Sequence, residues 1–226
     1  MKCNGKLFFM VLVLFAILTM GSVNATDNVI ETNISADTST NDGIMLNTYT
    51  QEVWISNDGD DSNSGSESDP YKTLNKSINS VGDNSYIHLK EGTYTGEKNR
   101  DLVVSKNLTF IGAGADKTII DAQKQGRIFN INGDNTITLI NLTLTNGYSD
   151  NGGAIYTYHG DVIVSDGVSF VNNSADRYGG AIHTYHGDVI VSGINVSFVN
   201  NSADHGGGLL AVLWVMLLFL VLMFLL

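Results

Sequence analysis

A block of 27 residues stands twice in tandem, and few folds are open to a chain built on such a block. Gly152–Tyr178 reads GGAIYTYHGDVIVSDGVSFVNNSADRY, and Gly179–His205 reads GGAIHTYHGDVIVSGINVSFVNNSADH. Gly152, Gly179 and Gly206 are each 27 positions apart. Inside the copies the match slips: His159 meets His186 at 27, whereas Phe170 meets Phe198 at 28. The sequence therefore places one extra residue near Gly193 and one loss before Gly206. A fixed period of this length marks a solenoid, in which each unit is one turn of a stack.

The turn is built of strands. Each copy holds three short runs, Ala-Ile-Tyr-Thr-Tyr, Val-Ile-Val and Val-Ser-Phe-Val, separated by Gly, Asn, Asp and Ser. The runs are β-branched and aromatic, and none sustains a 3.6-residue period over helical length. Three strands and three turns in one period describe a coil of a parallel β-helix. Equivalent residues of successive coils then lie ~4.8 Å apart, placing Ile155 on Ile182, Val162 on Val189, Val164 on Val191 and Phe170 near Phe198. Asn173 and Asn201 are expected to form an amide ladder at a turn. A single coil cannot bury enough apolar surface to offset the ordering of its backbone, so neighbouring coils must complete it.

Gly-Gly-Ala-Ile at 152–155 and 179–182, with Phe-Val-Asn-Asn at 170–173 and 198–201, resembles the GGAI and FxxN repeats of polymorphic outer-membrane proteins. It is also similar to the repeats of adhesin-like surface proteins of methanogenic archaea. That resemblance implies an all-β, right-handed parallel β-helix of the pectate-lyase type, displayed at the cell surface for contact with other cells, their glycans or their proteins.

Residues 1–25 read as a secretory signal: Lys2 and Lys6 give the charged start, Leu7 to Met20 the apolar core, and cleavage is expected after Ala25. An uncleaved anchor is the alternative, although the apolar run is short for a span. The expected location is extracellular. Cys3 is the one cysteine and falls in this leader, so no disulfide holds the fold. The chain carries 12 Lys and Arg against 23 Asp and Glu, a net charge of −11; removal of the leader takes Lys2 and Lys6 with it. Such a balance argues against a nucleic-acid partner, because phosphate binding needs clustered cations. Residues 26–50 are rich in Thr, Asn, Asp and Ser without a period and read as a flexible linker. The membrane is met only through the leader or the apolar tail.

The β-helix is expected over 51–208, with a cap at 51–85, irregular coils at 86–151 and the two repeats after them, about five coils in all. The cap contains Asp69-Pro70, read as an N-cap and first helical turn, then Leu74, Ile78 and Val81 at helical spacing, closed by Gly82. This short helix should cover the open first coil. Between Glu52 and Leu144 the strand candidates are Glu52–Ile55, Tyr86–Leu89, Leu102–Val104, Leu108–Ile111, Thr118–Ile120, Ile128–Ile131 and Thr136–Leu144.

Three groups of residues offer chemistry. Asp58, Asp60, Asp61, Glu67 and Asp69 resemble a calcium loop in composition but not in spacing, and a solvated acidic loop is the simpler reading. Tyr158, His159 and Asp161 recur as Tyr185, His186 and Asp188, a candidate stripe for a sugar or, through His and Asp, a divalent metal. The plain alternative is a turn copied with its unit. Asn-x-Ser/Thr sequons stand at Asn33, Asn75, Asn107, Asn141, Asn172, Asn195 and Asn200; Asn33, Asn75, Asn172 and Asn195 are the glycosylation candidates. No catalytic, cofactor or metal residue is assigned. The arginines, Arg100, Arg127 and Arg177, fall in unlike contexts, and no carboxylate pair stands apart from the repeat. A polysaccharide lyase or hydrolase is the rival function.

Residues 209–226, LLAVLWVMLLFLVLMFLL, break the pattern. As written they read as a membrane anchor. Read as codons displaced by one frame, Trp214 to Leu226 can instead encode Gly-(Asp/Asn)-Val-Ile-Val-Ser-Gly-Ile-(Asp/Asn)-Val-Ser-Phe, which repeats Gly187 onward. A frame-shifted repeat after about Gly207 is the expectation, tested by reading the gene downstream for further GGAI coils.

Overall fold

Residues that alternate in burial along short β-branched runs form the wall of the molecule. The structure is a computed structural model that describes residues 51–207 and 210–212. The leader, the linker, Asn33 and the tail beyond 212 lie outside the described residues, as does the proposed frame-shift point. Among the described residues no helix is long and apolar enough to cross a membrane.

Strand β1 (Glu52–Ile55) and helix α1 (Leu74–Ser80) open the described chain. The first coil is β2 (Ser85–Leu89), β3 (Gly92–Tyr94) and β4 (Leu102–Val104), and the second is β5 (Leu108–Gly112), β6 (Thr118–Asp121) and β7 (Phe129–Ile131). The third has four strands: β8 (Thr136–Ile140), β9 (Thr143–Thr145), β10 (Tyr148–Asn151) and β11 (Ile155–Thr157). The fourth repeats it as β12 (Asp161–Val164), β13 (Ser169–Val171), β14 (Ser174–Tyr178) and β15 (Ile182–Thr184). β16 (Val189–Val191), β17 (Ser197–Val199), β18 (Ser202–Ala203) and β19 (Leu210–Val212) follow.

Every pairing is parallel, between equivalent strands of successive coils. Four sheets result, in the orders β1-β2-β5-β8-β12-β16, β3-β6-β9-β13-β17, β4-β7-β11-β15-β19 and β10-β14-β18. This is the expected parallel β-helix, for which twisted strands favour the right-handed crossover sense. Its core is made of ladders. Val53, Ile87, Phe110, Leu139, Val164 and Val191 form one inward column, and Tyr94, Ile120, Leu144, Phe170 and Phe198 another. Phe170 and Phe198 stack at 4.9 Å with planes 4° apart.

Corners are turned by residues in the left-handed region. Asn141, Asn146, Asn172, Asn195 and Asn200 all have φ between 53° and 58°, a conformation asparagine tolerates better than other residues with a Cβ. Beside Asn172 the chain points Asn173 inward, fully buried. The expected amide ladder is present: Asn173 Nδ2 donates to Asn201 Oδ1 at 3.0 Å and to the Leu144 carbonyl at 3.1 Å, while Asn173 Oδ1 accepts from Gly147 N–H at 2.8 Å.

Four details differ from the sequence reading. The repeat coils have four strands, because Ser174–Tyr178 pairs through its backbone although its side chains look like a polar turn. The run Thr136–Leu144 is two strands, broken at Asn141, whose φ of 54° turns the corner. Helix α1 is capped by Thr73, whose Oγ1 accepts from Lys76 N–H at 3.2 Å, and not by Asp69. It cannot start earlier because Tyr71 is held in backbone pairing with Trp54 and Ser56. It ends at an extended Val81, not at a glycine cap.

The fourth difference is the register. Val162 meets Val189 at 27 residues, and Ser169 meets Ser197 at 28, so the extra residue enters at the Gly193 corner as expected. No residue is lost afterwards. Tyr178 bridges Gly206 and Ile182 pairs with Leu210, both at 28. Gly207, with φ 59°, therefore takes the place of Gly152 and Gly179, both at φ 64°. The backbone identifies the true equivalent, because that corner needs a left-handed residue and Gly206 does not supply it.

The cap is built as expected around α1, with Leu74 and Ile78 buried. Lys106 Nζ donates to the carbonyls of Ile78 and Val81, at 3.0 and 2.6 Å, so a cation closes the helix end.

Candidate functional site

The GGAI strands deliver two side-by-side rows onto the surface. After β11 and β15 the chain turns through Tyr158-His159-Gly160 and Tyr185-His186-Gly187. Tyr158 stacks on Tyr185 with centroids 4.9 Å apart and planes 8° apart, and His159 on His186 at 4.9 Å and 15°. The rows meet edge to face, Tyr158 against His186 at 5.1 Å. Tyr158 is 47% exposed, and both histidines are exposed. Because the rings stack on each other, the stripe offers edges, hydroxyls and imidazole nitrogens to a partner more than open ring faces.

The aspartates of the stripe have another job. Asp161 Oδ1 accepts from Asp188 N–H at 2.8 Å, stitching one coil to the next. The same device precedes the equivalent strands of earlier coils, where Asp83 Oδ1 accepts from Asn107 N–H and Asn107 Oδ1 from Thr136 N–H. Asp188 Oδ1 is buried without a partner among the described residues. The structure thus brings Tyr158, His159, Tyr185 and His186 together and assigns Asp161 and Asp188 to the corner. A metal is poorly served here. Nearly parallel imidazoles direct their lone pairs side by side and do not converge on one ion. Among the described residues no three His, Cys, Asp or Glu side chains gather as metal ligands.

The acidic loop is also occupied internally. Asp60 accepts from the backbone and hydroxyl of Ser62, which holds its carboxyl below the usual range. Asp69 accepts from Ser64 N–H. Asp61 takes three bonds, from Lys72 N–H, Thr73 N–H and Thr73 Oγ1, with Lys98 Nζ at 3.5 Å. Partial burial pushes Asp61 up, but these hydrogen bonds and Lys98 outweigh it and the carboxyl lies low. Asp61 thus ties the loop to the start of α1, while Asp60 and Asp69 hold the loop's own turns. Of the sequons among the described residues, Asn75, Asn172, Asn195 and Asn200 are exposed, and Asn107 and Asn141 are half-buried.

One cluster has no counterpart in the sequence reading. Arg127, just before β7, donates to the carbonyls of Gly152 and Asn151 and to Ser149 Oγ. Its guanidinium lies 5.0 Å from the Tyr156 ring. Burial lowers its pKa, opposed by Asp101, Tyr156 and Asp150. Tyr156 in turn meets His183 at 5.6 Å, and Tyr178 meets His183 at 5.8 Å. The signal available in the sequence was the exchange of Tyr156 for His183 between otherwise matching GGAI strands. A second aromatic pair, Trp54 stacked on His88 at 4.7 Å with Glu52 Oε2 3.6 Å from His88 Nε2, lies at the start of the long sheet.

A stack of parallel coils with ladder-like side-chain rows is the structure of a β-solenoid protein. Residues 57–206 match the family described as "Protein of unknown function (DUF1565)", and the chain belongs to that family. No curated protein sequence matches it. A solved structure titled "Rhamnogalacturonan lyase" is similar at 13% identity and a TM-score of 0.37, over 72% of this chain and 60% of that one. The chain thus spans less than two thirds of that protein.

Proposed function

We propose that this chain is a non-catalytic, adhesin-like β-helix of the cell surface, related to the GGAI-repeat surface proteins it resembles, and that it contacts glycans or proteins of neighbouring cells. The observation that carries the reading is the surface double row of Tyr158, His159, Tyr185 and His186, in which Tyr185 is half-buried and the other three are exposed. A repeated surface gains contacts coil by coil, so many weak hydrogen bonds add to useful avidity. The arrangement of Arg127 speaks against the rival lyase reading. Its Nε and one Nη are committed to protein acceptors, which leaves it a strut of the corner more than a free base or substrate clamp.

Purified protein applied to a glycan array and to intact cells should give binding without turnover, and Tyr158→Ala with Tyr185→Ala should abolish that binding while leaving the fold intact. Cleavage of acidic polysaccharides by the wild-type chain would overturn this proposal in favour of an enzyme.

A further inference from the structure

The corner of Arg127, Tyr156, Tyr178 and His183 contains a group that sits uneasily where it is. In the ladder Tyr156 of β11 pairs directly with His183 of β15, so the second repeat carries histidine where the first carries tyrosine. His183 is only 4% exposed, and among the described residues neither Nδ1 nor Nε2 has a hydrogen-bond partner. As a neutral ring it packs against its aromatic neighbours much as tyrosine does. As an imidazolium it would be a buried cation without an acceptor.

Among the described residues its surroundings offer the cation aromatic rings but no hydrogen-bond acceptor and no opposite charge. From β11 it faces Tyr156 and from β14 Tyr178, and the ladder partner on β19 is Ala211. The nearby full charge is Arg127, across the Tyr156 ring, of the same sign. Asp101 and Asp150 act on Arg127, and His205 lies beyond Tyr178 at 6.4 Å.

We propose that His183 is an acid-sensitive latch: neutral, it closes β15 against β11 and the β14 corner; protonated, it is expelled and that coil opens. Solenoid coils are held by nearest-neighbour terms, so opening stays local to the repeat coils around β15 while the capped end holds. The sign follows from burial first and Arg127 second, which both lower the pKa of His183 from its ordinary 6.5. The latch has its full strength above that value. As pH falls below it, the open coil takes up the proton and the closed one does not. The opening constant therefore rises about tenfold per pH unit until the buried imidazole also protonates.

The test is hydrogen-exchange protection of the full chain at pH 7.5 and 5.5, corrected for intrinsic rates. Wild-type protection at β15 and its corner should fall about tenfold between the two, with β2, β5 and β8 unchanged. His183→Tyr, which installs the residue already accepted at position 156, should remove that excess. His183→Gln should remove it too, whatever its own baseline, because the comparison is between two pH values of one variant. Retention of the wild-type excess in both variants would overturn the latch, as would an NMR titration placing the His183 imidazole at or above 6.5. Either outcome leaves the binding role of the Tyr158 stripe untouched.

Discussion

Replacing Asn173 with alanine should be among the most damaging polar substitutions in the molecule. The side chain is fully buried and holds three coils together: it accepts from Gly147 N–H, donates to the Leu144 carbonyl, and donates to Asn201 Oδ1. Alanine leaves two buried backbone groups, Gly147 N–H and the Leu144 carbonyl, without this partner, while Asn201 Oδ1 keeps its bond from Asn173 N–H. At about 1–3 kcal/mol for each unsatisfied group, partly offset by water entering the gap, the cost should reach about 3–5 kcal/mol. That is a large share of the roughly 5–15 kcal/mol that holds a domain folded. Asn201 makes the comparison sharp. It donates to the Phe170 carbonyl and accepts from Asn173, but it is only partly buried, so solvent can replace what Asn201→Ala removes. Its cost should be about 1–2 kcal/mol. Urea unfolding followed by circular dichroism measures both. If Asn173→Ala costs less than 1 kcal/mol, or less than Asn201→Ala, the ladder is not the pillar described here.

Two other substitutions probe the cap. Lys106→Met removes the ammonium that closes α1 at the Ile78 and Val81 carbonyls; a loss of about 1–2 kcal/mol, with proteolysis beginning in residues 74–82, is expected. Asp61→Asn keeps the shape but weakens the three bonds that Asp61 accepts from Lys72 and Thr73. Because the folded carboxyl lies below its ordinary 3.8, its contribution is full above that value and is lost as pH falls through the folded one. The wild-type advantage over Asp61→Asn in thermal melts should therefore be present at pH 6 and shrink below about pH 4.

Wherever hydrophobic side chains repeat in register, the sequence was enough to place them. Ile155 on Ile182 and Val162 on Val189 follow from the 27-residue period, and Phe170 on Phe198 from that period with its one inserted residue, since parallel coils leave each residue one neighbour above and below. Features held by backbone bonds were less legible. Ser174–Tyr178 has the composition of a loop and becomes a strand because its neighbours at 148–151 and 202–203 pair with it. Gly206 matches Gly179 as a letter, yet Gly207 matches it as a conformation. The stripe was visible as a repeat, but the division between outward rings and corner-stitching Asp161 required the hydrogen bonds. Arg127 was invisible as a strut because its acceptors, 22 to 25 residues later, come from the following coil.

The corner at Gly193 also bears on how such a protein varies through time. On one side of it β12 and β16 pair at a 27-residue offset, and on the other β13 and β17 pair at 28, with every inward side chain still on its column. The surplus length is carried by Ile194, 73% exposed and held only through its backbone, to Asp166 Oδ1 and Gly167 N–H. Insertions of this kind reach the solvent without touching the core, so they carry little penalty in stability. Descendant coils need share no common length. What they must inherit is the order of inward residues, and kinship among them is better judged by those columns than by a constant spacing.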